Sequence, residues 1–271
     1  MSSKLKLWVP QMLFKLLGGS GAKISEIGQG TWAYRADVQP LRLGISLGAT
    51  HIDTAEMYGT EPIVGKAILG IRADVFLASK VSPSHLDYNS LIRAAEGSLK
   101  RLNTEYMDLY MIHWPNHSVP IKETMRAMED LLKKGKAKYI GVSNFSVGDM
   151  EEAKDAMTTQ KIVSNQVQYN LRDRSPEQDI IPYCKKEKIT VVAYSPLSRG
   201  QVSRRSDAIL DEIASRYKKT KAQVALNFLT REDNVVAIPK SDNEEHVAEN
   251  CAASGWRLSK DDIETIDEHF H

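Results

Sequence analysis

Four side chains able to hold or move a proton stand at intervals along the chain: Asp53, Tyr58, Lys80 and His113. Lys80 closes the apolar run Phe76-Leu77-Ala78-Ser79. An ammonium buried there without a partner would be costly and would shed its proton. Asp53 closes the weaker run Thr50-His51-Ile52 and is the natural counter-ion, although such a pair also serves as a plain structural salt bridge. Tyr58 follows on the loop Asp53-Thr54-Ala55-Glu56-Met57-Tyr58-Gly59. Beside an ammonium a phenol, whose pKa is ordinarily about 10, is expected to titrate lower and to become a better proton donor near neutrality. Without those neighbours it would be a ring packed on a rim. His113 ends the run Met107–Ile112 and could aim a ring N–H at a carbonyl oxygen, though a lone histidine has several structural uses. Trp32 and Trp114 are expected to wall an apolar pocket beside these groups.

Such residues need a scaffold that brings strand ends together. Short runs rich in apolar and β-branched residues read as buried parallel strands: Val75–Ser79, Met107–Ile112, Tyr139–Val142, Thr190–Tyr194 and Val235–Ile238. Weaker ones are Ser25–Gly28, Thr50–Ile52 and Asn165–Gln168. Between them lie patterns of helical period, over Ser90–Leu102, Ile121–Lys134, Ala208–Tyr217 and Lys260–His269. The eight strand ends fall near 30, 53, 80, 113, 143, 166, 195 and 240, a mean spacing of 30 residues, which is what one strand, one helix and two loops require. The alternation predicts an α/β fold, a closed (β/α)8 TIM barrel whose C-terminal strand ends converge on one mouth. A doubly wound open sheet is the competitor, but Gly28-Gln29-Gly30-Thr31-Trp32 lacks the third glycine of a dinucleotide fingerprint. Gly18-Gly19-Ser20-Gly21 reads as the turn of an N-terminal β-hairpin preceding the barrel. No linker divides residues 1–271, so one domain is expected, with 1–11 as an extension.

Composition narrows the function classes. The 271 residues are 42% hydrophobic and 26% charged, an ordinary globular balance. Lys+Arg 36 against Asp+Glu 35 leaves +1, which argues against nucleic acid or an anionic membrane as a partner. The run Lys133-Lys134-Gly135-Lys136-Ala137-Lys138 could suggest a nucleic-acid contact, but positive charge at a solvated helix C-terminus explains it without a ligand. Cys184 and Cys251 are too few for a disulfide scaffold or a structural zinc site, and no metal is expected. No apolar run approaches the length of a membrane span, and Pro10, Gln11 and Lys15 interrupt the one stretch resembling a signal peptide. A cytoplasmic protein is expected.

Six segments together resemble the aldo-keto reductases, nicotinamide-dependent carbonyl reductases built on a (β/α)8 barrel. They are Gly48–Gly59, Met107–Trp114, Ile140–Phe145, Asn165–Asn170, Ala193–Leu197 and Ile238–Ser241, in family order. The resemblance runs from about Met12 to the end. It implies that Asp53, Tyr58, Lys80 and His113 form a catalytic tetrad, with Tyr58 as general acid in reduction, Lys80 held by Asp53 beside it, and His113 orienting the substrate carbonyl. It also implies that Tyr194 stacks on the nicotinamide, whose carboxamide bonds Ser143, Asn144 and Gln166. Thr31 and Trp32 would lie beside nicotinamide and substrate, Ser195 and Leu197 over the pyrophosphate, and Lys240, Ser241, Glu249 and Asn250 at the adenosine end. The implied activity is reduction of aldehydes and activated ketones by hydride transfer from NAD(P)H.

Two departures from the family pattern bear on specificity. His246 stands where NADP-preferring members usually carry an arginine, and a neutral imidazole cannot offer a permanent cationic fork to a 2′-phosphate. Asp242 adds a negative charge there. NADP(H) is favoured on Lys240, with NAD(H) possible and discrimination weaker than usual. The loop Pro115–Ile121 is short and the chain stops soon after the last helix, at Phe270-His271, so an open mouth and a broad range of small carbonyl substrates are expected. Other readings are a cofactor-sensing or regulatory subunit of the same fold, and a barrel lyase using Lys80 as a Schiff-base nucleophile. The default oligomeric expectation is a monomer.

Overall fold

The computed structural model describes residues 11–270. After an antiparallel pair, β1 (Phe14–Leu16) and β2 (Lys23–Ser25), eight parallel strands follow: β3 (Gln29–Gly30), β4 (His51–Asp53), β5 (Phe76–Val81), β6 (Met107–Ile112), β7 (Ala137–Ser143), β8 (Ile162–Gln168), β9 (Thr190–Tyr194) and β10 (Val235–Ala237). Each strand pairs with its sequence neighbour. The sheet closes on itself through a parallel bridge between Ile27 and Ala237, where the Ala237 N–H donates to the Glu26 carbonyl at 2.9 Å and the Gly28 N–H donates to the Ala237 carbonyl at 2.8 Å. The expected barrel and its preceding hairpin are therefore both present; the expected extension lies almost wholly outside the described residues.

Apolar residues sort to the two faces of the sheet. Ala78, Leu109, Met111, Val192, Val236 and Ile238 pack with Leu17 and Ile24 of the hairpin, all but Ile238 fully buried, so the hairpin plugs the N-terminal end of the barrel. A much larger cluster lies between the outer face and the surrounding helices. The barrel interior leaves little room at Gly141, where a Cβ would meet the Ser164 Oγ at 2.3 Å and the Met111 Cγ at 2.8 Å. The pattern-derived helices form as Tyr88–Leu102, Ile121–Lys133, Ala208–Tyr217 and Lys260–His269. Asp87, Asp207 and Ser259 cap three of them, each accepting an N–H from the first turn. The wide interval before β10 is filled by Lys221–Leu229 as well as Ala208–Tyr217.

Some boundaries differ from the sequence reading. β3 is Gln29–Gly30 rather than Ser25–Gly28, because Glu26 to Gly28 are spent on the closing seam. β8 begins at Ile162, three residues before the expected Asn165, whose side chain faces outward to the Phe145 carbonyl at 2.9 Å. Among the described residues no helix is long and apolar enough to cross a membrane.

His51, at the start of β4, is wholly buried edge-on to Phe76, and neither ring nitrogen has a partner. Burial lowers its pKa from 6.5 to about 4. The unfolded imidazole takes up a proton that the folded one refuses, so stability is complete above pH 6.5 and declines as the pH falls toward 4, by roughly 3 kcal/mol for this group. Denaturant titrations at pH 7.5 and 4.5 are expected to show a smaller acid loss in His51→Gln than in the wild type; equal losses would contradict the assignment.

Candidate active site

The strand ends deliver their side chains to one mouth. Lys80, on β5, is fully buried, and its ammonium donates to Asp53 Oδ1 at 2.5 Å and to the Thr54 carbonyl at 3.0 Å. Asp53, at the end of β4, accepts on its other oxygen from Gln166 Nε2 at 2.7 Å. Burial alone would lower the Lys80 pKa, but Asp53 and then Tyr58 outweigh it and leave the ammonium titrating above its ordinary value. Lys80 is therefore a fixed cation, which speaks against its acting as a Schiff-base nucleophile.

Tyr58 rides on a single 3₁₀ turn, Glu56–Tyr58, which ends at Gly59 in the left-handed region with φ 70°. Threonine hydroxyls brace the segment: Thr60 lies 3.0 Å from both Thr31 and Thr54, and Thr31 donates to the Asp53 carbonyl at 2.9 Å. The Tyr58 hydroxyl lies 3.5 Å from Lys80 Nζ and 3.3 Å from His113 Nε2, with the Tyr58 and His113 rings edge-on at 5.3 Å. The expected fall in the Tyr58 pKa is not what the site produces. Burial raises it by more than the Lys80 charge lowers it, so the hydroxyl stays protonated across the neutral range.

His113, directly after β6, is buried, and burial, then Lys80, lowers its pKa to about 4. Its Nδ1 is enclosed without a partner. A neutral ring carries one proton; on Nε2 it can be donated toward the Tyr58 oxygen, whereas on Nδ1 it would be stranded. The geometry favours the Nε2–H tautomer.

The groups matched to a nicotinamide line the adjoining arc of the mouth. Tyr194 at the end of β9 donates its hydroxyl to Asn144 Oδ1 at 3.0 Å, Asn144 Nδ2 donates to Ser143 Oγ and to the His113 carbonyl, each at 3.0 Å, and Ser143 donates to the Gln166 carbonyl at 2.9 Å. Gln166 spends its amide N–H on Asp53, so its role extends to the ion pair, which sequence reasoning missed. The tyrosine ring is half-buried beside hydroxyl and amide groups. That donor and acceptor set fits a flat ring bearing a carboxamide. Ser195, with φ 49°, and Leu197 follow on the loop that leads to Arg199, whose guanidinium lies 5.4 Å from the Trp32 ring. Trp32 and Trp114 are 54% and 48% exposed, so they flank an open rim rather than wall an enclosed pocket.

Lys240 and Ser241 lie after β10, at the far end. Lys240 is ion-paired with Asp242, whose Oδ1 also accepts the Arg35 backbone N–H at 3.0 Å. Asn243 caps the helix Glu244–Cys251 by accepting the His246 N–H at 3.1 Å; the His246 side chain is exposed, Glu249 half-buried and Asn250 buried. One cation that suits a phosphate, Lys240, is present here, but Asp242, Glu244 and Glu245 surround it with negative charge. The Lys133–Lys138 run is partly neutralised, since Lys133 pairs with Asp130 and Lys138 with Asp108.

The model of the aldo/keto reductase family matches residues 19–271. Methylglyoxal reductase YeaE of Escherichia coli (strain K12) is 39% identical over 270 residues, covering 94% of this chain and 95% of that protein. Glyoxal reductase of Bacillus subtilis (strain 168) is 39% identical over 233 residues, covering 84% and 82%. The solved thermostable aldo-keto reductase Tm1743, in complex with the inhibitor epalrestat, superposes with a TM-score of 0.90 at 43% identity, covering 95% of this chain and 99% of that one. An aldo-keto reductase from Klebsiella pneumoniae in complex with NADPH gives a TM-score of 0.89 at 38% identity, covering 96% of each chain. A barrel mouth of this make, in a chain matched over nearly its whole length by that family, is the mouth of an NAD(P)-dependent oxidoreductase: the chain belongs to the aldo/keto reductase family.

Proposed function

We propose that the protein reduces small reactive carbonyl compounds to alcohols, with 2-oxoaldehydes such as methylglyoxal first among them, and with NADPH as the preferred reductant. The observation that carries this reading is the Tyr58 hydroxyl, still protonated and set between a buried cation at 3.5 Å and a neutral imidazole at 3.3 Å. The names of the two bacterial relatives support the substrate class. The half-exposed Trp32 and Trp114 and the exposed Met57 support an open mouth with broad tolerance. One barrel acting as a cytoplasmic monomer suffices, because the whole tetrad comes from one chain.

When bound, reduced nicotinamide supplies the hydride that the carbonyl carbon receives. Ser143, Asn144 and Tyr194 hold the ring's side of the mouth, and Ser195, Leu197, Lys240, Ser241, Glu249 and Asn250 the remainder of the dinucleotide. Thr31 and Trp32 border ring and substrate. His113 donates its Nε2–H to the carbonyl oxygen and fixes the direction of approach. As charge grows on that oxygen, Tyr58 gives it the phenolic proton, and the Lys80 ammonium stabilises the phenolate left behind. Asp53 keeps Lys80 charged and in place. The tyrosinate regains its proton from solvent before the next turnover.

A regulatory protein of the same fold would bind the dinucleotide yet fail to turn over. Tyr58→Phe separates the readings. It is expected to lower kcat for methylglyoxal by about 100-fold or more, the usual worth of a positioned acid, while tryptophan-fluorescence titration gives NADPH affinity within about twofold of wild type. A wild type that binds NADPH but does not oxidise it would overturn the proposal. Because His113 stays neutral down to about 4, reduction is expected to lose nothing between pH 8 and 6. A limb near pH 6.5 in the pH profile would count against its neutral role.

Asp242 holds Lys240 in an ion pair, so a 2′-phosphate must compete for the lysine. Asp242→Asn frees it and keeps an acceptor for the Arg35 N–H. The same fluorescence titration is expected to show NADPH binding about three- to fivefold tighter, in keeping with an exposed pair, and NADH binding little changed. Equal gains for both cofactors would place the phosphate elsewhere.

A further inference from the structure

We propose that Glu56 is a positioning residue for this reaction, pinning the turn that carries Tyr58 to the strand end that carries Lys80. The inference rests on the reading of Tyr58 as the proton donor. Glu56 opens the turn Glu56–Tyr58, and each of its two carboxylate oxygens has a partner on the segment that follows β5. Oε2 accepts the Ser82 backbone N–H at 2.9 Å, and Oε1 lies 2.9 Å from His85 Nδ1. Ser82 is two residues beyond Lys80 and is buried. One residue further, the Pro83 carbonyl accepts from Asn116 Nδ2 at 2.8 Å, and Asn116 stands three residues beyond His113. The segments next to Tyr58, Lys80 and His113 are thus laced together by one carboxylate and one amide.

Thr60 braces the C-terminal side of the turn through Thr31 and Thr54, and Glu56 is the tie on its N-terminal side. The turn's internal hydrogen bond is Tyr58 N–H to the Ala55 carbonyl at 3.1 Å, and its neighbours Met57 and Gly59 are exposed. The separation that matters is the 3.5 Å between Lys80 Nζ and the Tyr58 oxygen, already at the outer limit of a hydrogen bond. A displacement of about 1 Å would break it, and misplacement on that scale costs on the order of 100-fold in rate. Neither substrate nor dinucleotide needs to touch Glu56 for that loss to occur.

Two substitutions attack the clamp from opposite sides. Glu56→Ala removes the acceptor. Ser82→Pro removes the N–H donor with the backbone already suited to it, since Ser82 has φ −61° and follows the extended residues of β5; it also removes the Ser82 hydroxyl that accepts the Ser84 N–H, a loss that Ser82→Ala reproduces by itself and against which it is read. Both are expected to lower kcat for methylglyoxal by about 10- to 100-fold, with KM and NADPH affinity within about threefold of wild type. Glu56→Gln retains an oxygen for the Ser82 N–H and an amide to donate to His85, and is expected to restore kcat to within about threefold. Wild type and Tyr58→Phe are assayed alongside. An inactive wild type or an active Tyr58→Phe defeats the reading of Tyr58, not the clamp. If those two behave as expected and Glu56→Ala or Ser82→Pro keeps wild-type kcat, the clamp is refuted. It is refuted equally if Glu56→Gln is as impaired as Glu56→Ala. Should Glu56→Ala fail to fold, Ser82→Pro and Glu56→Gln decide the matter.

Discussion

A single charge, the Lys80 ammonium, governs the mouth of this barrel. It is wholly enclosed, where an isolated cation would be neutral. Asp53 at 2.5 Å keeps it charged, and Asp53 is itself held by Gln166 from the far side of the barrel at 2.7 Å. The pair is worth little as a source of stability, because desolvating both ions consumes most of their attraction. Its effect is on the neighbours. Burial, and then Lys80, discourages a second cation at His113, so the imidazole stays neutral. At Tyr58 the same charge opposes burial, and a phenolate formed there has a partner waiting. In the proposed mechanism, burial and this one cation together leave one neighbour a neutral donor and the other an acid whose conjugate base has a partner.

A barrel can hold such a charge because its strands hydrogen-bond all the way round. The seam at Ile27 and Ala237 removes the sheet edges, and the hairpin seals the opposite end with Leu17 and Ile24. The mouth is where regular pairing stops and irregular backbone begins. Of the residues other than glycine in the left-handed region, Asn103, Lys188 and Lys218 sit at or just past helix C-termini, where that conformation is ordinary. Ala33, Asn144, Ser195, Ser198 and Arg199 instead follow β3, β7 and β9 around the mouth. Strained conformations concentrated there are consistent with loops shaped for a ligand rather than for stability.

The sequence made the frame readable because buried parallel strands are written as unbroken apolar runs, and a polar residue closing such a run marks a strand end. Asp53, Lys80 and His113 were visible on that ground alone, and Tyr58 by its nearness to Asp53. β3 lies outside the run that predicts it because two residues, Gln29 and Gly30, are too few to show any period. The direction of the Tyr58 shift differs from the expectation for another reason. Its charged neighbour can be inferred from strand order, but its burial depends on contacts from other strands, the His113 ring set edge-on against it and the Lys80 side chain over its face, which no periodicity encodes. Gln166 was matched to a cofactor amide, and only the fold shows it crossing the barrel to Asp53. Glu56 lay within a segment already singled out, yet its partner is a backbone N–H, and a backbone N–H has no sequence signature.

The two ends of the proposed cofactor groove differ in how firmly the chain is committed to them. At the end proposed for the nicotinamide, Ser143, Asn144 and Tyr194 are fixed by one another, so the groups assigned to the ring are already in place. At the adenosine end, Lys240 is engaged by Asp242, and Asp242 also tethers the loop that carries Trp32 through the Arg35 N–H. A phosphate arriving there must exchange one anion for another at the lysine. The gain is then a difference between two ion pairs, not the full strength of one. Loosening Asp242 also touches the tether that places Trp32 at the rim of the substrate mouth. In the proposed reading, cofactor choice and the shape of the rim are coupled through that one carboxylate, whereas the Asp53, Lys80, Tyr58 and His113 cluster, anchored on β4, β5, β6 and β8, makes no contact with it.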